Sequence, residues 1–123
     1  MRVHELDHIV LNTPDVERAL EFDTDLLGME GDRIDAWRAG EVPFPSVRVN
    51  GGTIIDLMRV DRTGENMNHL CLVVDPDDVD AVAADPRFDI VSPPVMRYGA
   101  RGEGRSVYVR DPDGNLIEVS SYR

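Results

Sequence analysis

No lysine occurs anywhere in the 123 residues: all 13 basic side chains are arginine, against 24 Asp and Glu, for a formal net charge of −11. So acidic a surface repels nucleic acid and anionic membranes over its whole extent, which argues against both as partners. Cysteine is nearly missing too. Cys71 stands alone, so no internal disulfide can form. Its place in the apolar run after His69 predicts a buried structural thiol rather than a reactive one. No apolar run approaches the ~18 residues of a membrane span, and the start, Met-Arg-Val-His-Glu, lacks the apolar segment of a signal peptide. A cytoplasmic protein is expected. With 41% hydrophobic residues the chain can build one core, and no low-complexity linker divides it.

What is present is a duplication. Leu6-Asp7-His8-Ile9-Val10-Leu11 is echoed by Met67-Asn68-His69-Leu70-Cys71-Leu72, so a histidine opens an apolar run twice, at a period of about sixty residues. The second half of the pattern also recurs. Ser46-Val47-Arg48-Val49 leads through a glycine turn to Gly52-Thr53-Ile54-Ile55-Asp56-Leu57, and Ser106-Val107-Tyr108-Val109 leads through Asp-Pro-Asp-Gly to Gly114-Asn115-Leu116-Ile117-Glu118-Val119. Modules this small are marginal alone and are expected to share one domain, residues 1–123, divided at about 1–62 and 63–123.

Each module reads as βαβββ, an α+β fold. In the first, residues 5–12 form a strand; Thr13 as N-cap and Pro14 as first helical residue open a helix carrying Val16, Ala19, Leu20 and Leu27, and Gly28 stops it. Residues 29–44 are expected to hold one short strand and a loop with Trp37, Pro43 and Phe44, before a hairpin about Asn50-Gly51-Gly52. In the second, a strand at 67–74 precedes a helix capped by Asp75, begun by Pro76 and ended by Pro86. Short strands near 88–91 and 94–98, a Gly/Arg loop at 99–105 and a hairpin at 106–121 complete it.

Side chains alternate across a strand, so His8 shares a face with Val10, Asp56 with Ile54 and Met58, and Glu118 with Leu116 and Ser120. A lone histidine or acid on such a strand is ordinarily a rim residue. Four of them at matched positions of a repeat are what a metal site requires: His8, Asp56, His69 and Glu118. Two imidazole nitrogens and two carboxylate oxygens suit one divalent ion, whether Zn, Ni, Co, Mn or Fe(II), with positions left for water or substrate.

The paired histidine strands, Leu26-Leu27-Gly28, and Tyr108-Val109-Arg110-Asp111-Pro112-Asp113-Gly114-Asn115-Leu116-Ile117-Glu118-Val119 together resemble the vicinal oxygen chelate superfamily. It includes glyoxalase I, fosfomycin-resistance proteins and extradiol dioxygenases. The resemblance implies two tandem βαβββ modules forming a curved mixed sheet around a metal cleft, with His8, Asp56, His69 and Glu118 as ligands. Two positions depart from the pattern. Asp56 stands where glyoxalase-like members carry Glu or Gln, which turns the set toward a His8, His69, Glu118 triad, and the usual Phe-Tyr pair of the first helix is Phe22-Asp23.

Arg97, Arg101 and Arg105, interleaved with glycines, form the cationic stretch of this acidic chain. Arg101 and Arg105 are candidates to grip an anionic substrate, the alternative being a solvated hairpin. The expected function is a metal-dependent glyoxalase-like lyase or isomerase acting on a small molecule with vicinal oxygens, with Glu118, then Asp56, moving the proton. An Fe(II) extradiol-type dioxygenase and a non-catalytic binding or resistance protein are the alternatives. A homodimer is the expected assembly.

Overall fold

Alternation sets the first strand: in His8–Thr13 (β1), Leu11 and Thr13 are buried while His8 and Val10 remain exposed. The computed structural model describes residues 2, 4–99 and 101–122, and divides the chain into two units, Met1–Asn66 and Met67–Arg123. Each is built round a four-stranded mixed sheet, an α+β arrangement in two similar modules. Among the described residues no helix is long and apolar enough to cross a membrane.

In the first unit β1 runs parallel to Thr53–Arg59 (β4), which pairs antiparallel with Ser46–Asn50 (β3), and β3 pairs with Glu30–Asp32 (β2). Val47, Ile55 and Leu57 are buried on one face with Leu11, and the helix Val16–Glu21 (α1), which buries Val16, Ala19 and Leu20, packs against β4. The opposite face carries His8, Val10, Ser46, Ile54, Asp56 and Met58.

The cap of α1 differs from expectation. Thr13 ends β1, and Asp15 is the N-cap, its Oδ1 accepting from Arg18 N at 3.1 Å. Thr13 Oγ1 is engaged with the Asp15 backbone, which leaves Pro14 outside the helix. After Glu21 the helix widens into a π turn, Phe22–Leu26, where Thr24 Oγ1 donates to Leu20 O at 2.7 Å and competes for that carbonyl. Gly28, at φ 72°, then ends the segment as expected.

A short helix, Ile34–Arg38 (α2), occupies part of the expected 29–44 loop and carries Trp37. Its N-cap is Arg33, without a side-chain cap, and it is too short to show a periodicity, so nothing in the local pattern announces it.

In the second unit Leu70–Val73 (β5) runs parallel to Leu116–Ser121 (β8), followed outward by Gly102–Arg110 (β7) and Asp89–Gly99 (β6). The helix Pro76–Ala84 (α3), with Asp75 at its N-cap position but no side-chain cap bond and with Pro76 in its first turn as expected, packs Val79 over the sheet face of Val107, Val109, Ile117 and Val119. β6 is a single strand where two were expected; the irregular register around Ser92 absorbs Pro93 and Pro94, which cannot donate to the ladder. The anticipated 99–105 loop is likewise mostly paired: Gly99 faces Gly102, with Ala100 outside the described residues.

The β7–β8 turn is held by one carboxylate. Asp111 Oδ1 accepts from Asp113 N (3.0 Å) and Asn115 N (2.8 Å), and Oδ2 accepts from Asn115 Nδ2 (2.9 Å), while Gly114 supplies φ 82°. Asp111→Ala removes the acceptor of all three donors, and urea unfolding should read a loss of about 2–4 kcal/mol. Burial raises the Asp111 carboxyl above its ordinary pKa, the donors opposing that shift. The folded protein therefore holds this proton more tightly than the unfolded chain; the increment is full below the unfolded pKa and is lost as pH rises through the folded one.

Candidate functional site

Both histidines are prepared in the same way by the residue before them. His8 Nδ1 lies 2.7 Å from Asp7 Oδ2, and His69 Nδ1 lies 2.6 Å from Asn68 Oδ1. Those oxygens only accept, so Nδ1 is the donor in each contact and Nε2 is the nitrogen a metal would take. The Asp7-His8 and Asn68-His69 pairs were legible as neighbours in the sequence; their role was not. The Asp7 hydrogen bond raises the His8 pKa, opposed by desolvation and helped by the charges of Asp56 and Asp7.

Each carboxylate sits on its unit's last strand, on the face of its histidine. Val10 faces Asp56 across β1–β4, and Cys71 faces Glu118 across β5–β8. Both acids are nearly covered, with 6% of Asp56 and 7% of Glu118 exposed. Each accepts from a hydroxyl directly across the antiparallel ladder. Ser46 Oγ donates to Asp56 Oδ1 at 2.6 Å, and Tyr108 OH donates to Glu118 Oε2 at 3.2 Å. His69 Nε2 is 3.4 Å from the same Glu118 oxygen. Among the described residues, no group of three or more His, Cys, Asp and Glu side chains is placed to hold an ion. The histidine and carboxylate of each module are thus neighbours on one face, as a pair.

The ladder also revises the internal repeat. Sequence alignment matches Ser46 with Ser106, whereas the register matches it with Tyr108: Ser46 faces Asp56 and Tyr108 faces Glu118, ten residues apart in each module, and Arg48 faces Ile54 as Arg110 faces Leu116.

A cleft of about 280 Å³ beside Glu118 is lined by residues that include His69, Cys71, Arg97, Tyr98, Ser120 and Tyr122. Cys71 is exposed there rather than buried, since it lies on the sheet face away from α3. Desolvation, then the charge of Glu118, pushes its thiol up to about 11, so it stays protonated at neutral pH. Tyr98, 83% exposed, borders the cleft, whereas Phe44 lies under the Arg33 guanidinium at 4.9 Å and Trp37 is on α2.

Of the three arginines, Arg97 is the one lining this cleft. It donates to Ser106 O (2.8 Å), Ser106 Oγ (3.2 Å) and Ser92 Oγ (2.7 Å), and its guanidinium lies 4.6 Å from the centroid of the Tyr108 ring. Arg101 lies over Tyr122, at 5.5 Å. Arg105 points to the helix side and pairs with Asp80 of α3 at 2.7 Å, because it alternates with Gly104 and Ser106 along β7. Nearness in sequence to Glu118's hairpin did not reveal that facing.

The family model described as Glyoxalase/Bleomycin resistance protein/Dioxygenase superfamily matches residues 5–119. The virulence protein STM3117 of Salmonella typhimurium is 31% identical over 126 aligned residues, covering 99% of this chain and 87% of that protein. Its crystal structure matches with a TM-score of 0.79 and 29% identity over 100% of both chains. The glyoxalase domain-containing protein RDO1 of Mycosarcoma maydis is 34% identical, covering 100% of this chain and 71% of that protein. VPC_CASS1, from the mobile metagenome of V. Pseudocholerae, matches with a TM-score of 0.80 and 31% identity over 100% of this chain and 98% of that one.

Proposed function

This chain belongs to the Glyoxalase/Bleomycin resistance protein/Dioxygenase superfamily, and from that membership we propose that it is a metal-dependent lyase or isomerase of the glyoxalase kind. Its substrate is a small molecule presenting two neighbouring oxygens. The observation that carries the reading is the matched pair of half-sites: in each unit an imidazole with Nδ1 engaged by the preceding residue, beside a carboxylate held by a hydroxyl. That donor chemistry fits a divalent ion, which would take His8 and Asp56 from one pair and His69 and Glu118 from the other. When bound, such an ion supplies Lewis acidity to the substrate oxygens.

Glu118 is the group that accepts a proton from the carbon beside the substrate carbonyl and returns it to the neighbouring atom, and Asp56 is second. Arg97, the cation of the cleft wall, favours a substrate with an anionic arm, in place of the Arg101 and Arg105 grip expected from sequence. We take the functional particle to be a cytoplasmic homodimer, which light scattering checks.

A second reading is favoured by one contact. Ser46 holds Asp56 Oδ1 at 2.6 Å, which turns the set toward His8, His69 and Glu118, the two-histidine, one-carboxylate triad of an iron(II) dioxygenase. Elemental analysis of the purified protein should find about one divalent ion per pair of half-sites, that is, per chain. With that metal restored, solvent hydrogen exchange into a vicinal carbonyl substrate without oxygen uptake supports the lyase or isomerase; oxygen consumption supports the dioxygenase.

A further inference from the structure

In both units the residue directly across the ladder from the carboxylate carries a hydroxyl that donates to it, Ser46 to Asp56 and Tyr108 to Glu118. The hydroxyls differ in reach as the acids do: the shorter Asp56 meets a serine, the longer Glu118 a tyrosine. Tyr108 is itself held on two sides. Its ring stands edge-on to the His69 ring, with centroids 5.5 Å apart at 81°, and the Arg97 guanidinium lies over it at 4.6 Å, braced by Ser92 and Ser106. One tyrosine therefore touches the imidazole and donates to the carboxylate of the same half-site.

We propose that Tyr108 is the positioning residue of the Glu118 and His69 half-site, with Arg97 as the strut that fixes the tyrosine and Ser46 as its counterpart on Asp56. A donor on Glu118 Oε2 fixes the carboxylate's rotation and occupies one lone pair, so that the remaining lone pairs point in one direction. The edge contact fixes the plane of the imidazole whose Nε2 faces that same oxygen. Arg97 thereby contributes to the site without using its charge on the substrate alone, since three of its N–H contacts and its face are engaged within the sheet. The proposal rests on the metal-binding reading above.

The test compares Co²⁺ affinity and the Co²⁺ visible spectrum in wild type, Tyr108→Phe, Arg97→Gln, Ser46→Ala and, as reference, His69→Ala. Tyr108→Phe keeps the ring against His69 and Arg97 and removes only the hydroxyl, so the metal-free protein should melt as wild type does. Its Co²⁺ affinity should fall about 10–100-fold, the scale for losing a group that orients a ligand, with a shifted spectrum. Arg97→Gln should move the spectrum in the same direction, and Ser46→Thr should restore what Ser46→Ala loses. Affinity within about twofold of wild type and an unchanged spectrum in Tyr108→Phe, while His69→Ala binds no ion, would overturn the positioning role and leave the metal site standing. Absence of Co²⁺ uptake by wild type itself would overturn the metal reading and this inference together.

Discussion

His69→Ala is expected to remove the bound divalent ion, and His8→Ala to do the same, read as metal content after gel filtration. Each imidazole has Nδ1 engaged by the residue before it, which leaves Nε2 as the nitrogen an ion would take; the Asp7 hydrogen bond raises the His8 pKa, so metal uptake should weaken as pH falls. No described neighbour in either unit completes a cluster of three that could take over. An ion bound by roughly 10–16 kcal/mol through four ligands loses about 3–4 kcal/mol with one of them, on the order of 10³-fold in affinity, enough to strip it during purification. Full metal content in both variants would sink the assignment of the histidines.

The carboxylates divide the two enzymatic readings. With four ligands, Asp56→Ala and Glu118→Ala should each weaken metal affinity on the order of 10³-fold by calorimetric titration. With the triad, Glu118→Ala should keep that loss while Asp56→Ala costs only about 10–100-fold or less. The Ser46 contact bears on this outcome, since a short side chain already committed through Oδ1 has only Oδ2 left to turn toward an ion. Glu118, one methylene longer and sharing Oε2 between Tyr108 and His69, keeps Oε1 outside those contacts. Wild-type affinity in Asp56→Ala, together with oxygen uptake, would move the protein from the isomerase to the dioxygenase reading.

Where sequence reasoning went astray, the errors share a cause. The Gly/Arg stretch contains loop residues, yet Gly99 pairs with Gly102 and residues 102–105 of β7 pair with β6, because pairing is decided by ladder geometry rather than by the composition of 99–105. Cys71 looked buried from its apolar neighbours, but strand parity turns it to the face of Glu118, away from α3. Arg105 falls on the opposite parity and meets Asp80, a residue of a helix well separated along the chain. Ile34–Arg38 turned helical without a capping side chain to announce it.

The sequence by itself determined the duplication, the α+β class and superfamily membership, because period-two alternation, turn chemistry and the Asp-Pro-Asp-Gly hairpin are local and survive in one dimension. It also placed one histidine and one acid at matched strand positions in each module. Only the tertiary structure decided which groups serve those four residues. Asp7 and Asn68 meet the histidines that follow them in the chain, whereas Ser46 and Tyr108 hold the carboxylates and Arg97 rather than Arg105 lines the cleft, because these three depend on which strands pair and in what register. The ladder pairs Ser46 with Asp56 and Tyr108 with Glu118 at the same ten-residue separation, so the structural equivalent of Ser46 is Tyr108 rather than the Ser106 that the repeated Ser-Val-x-Val string suggests.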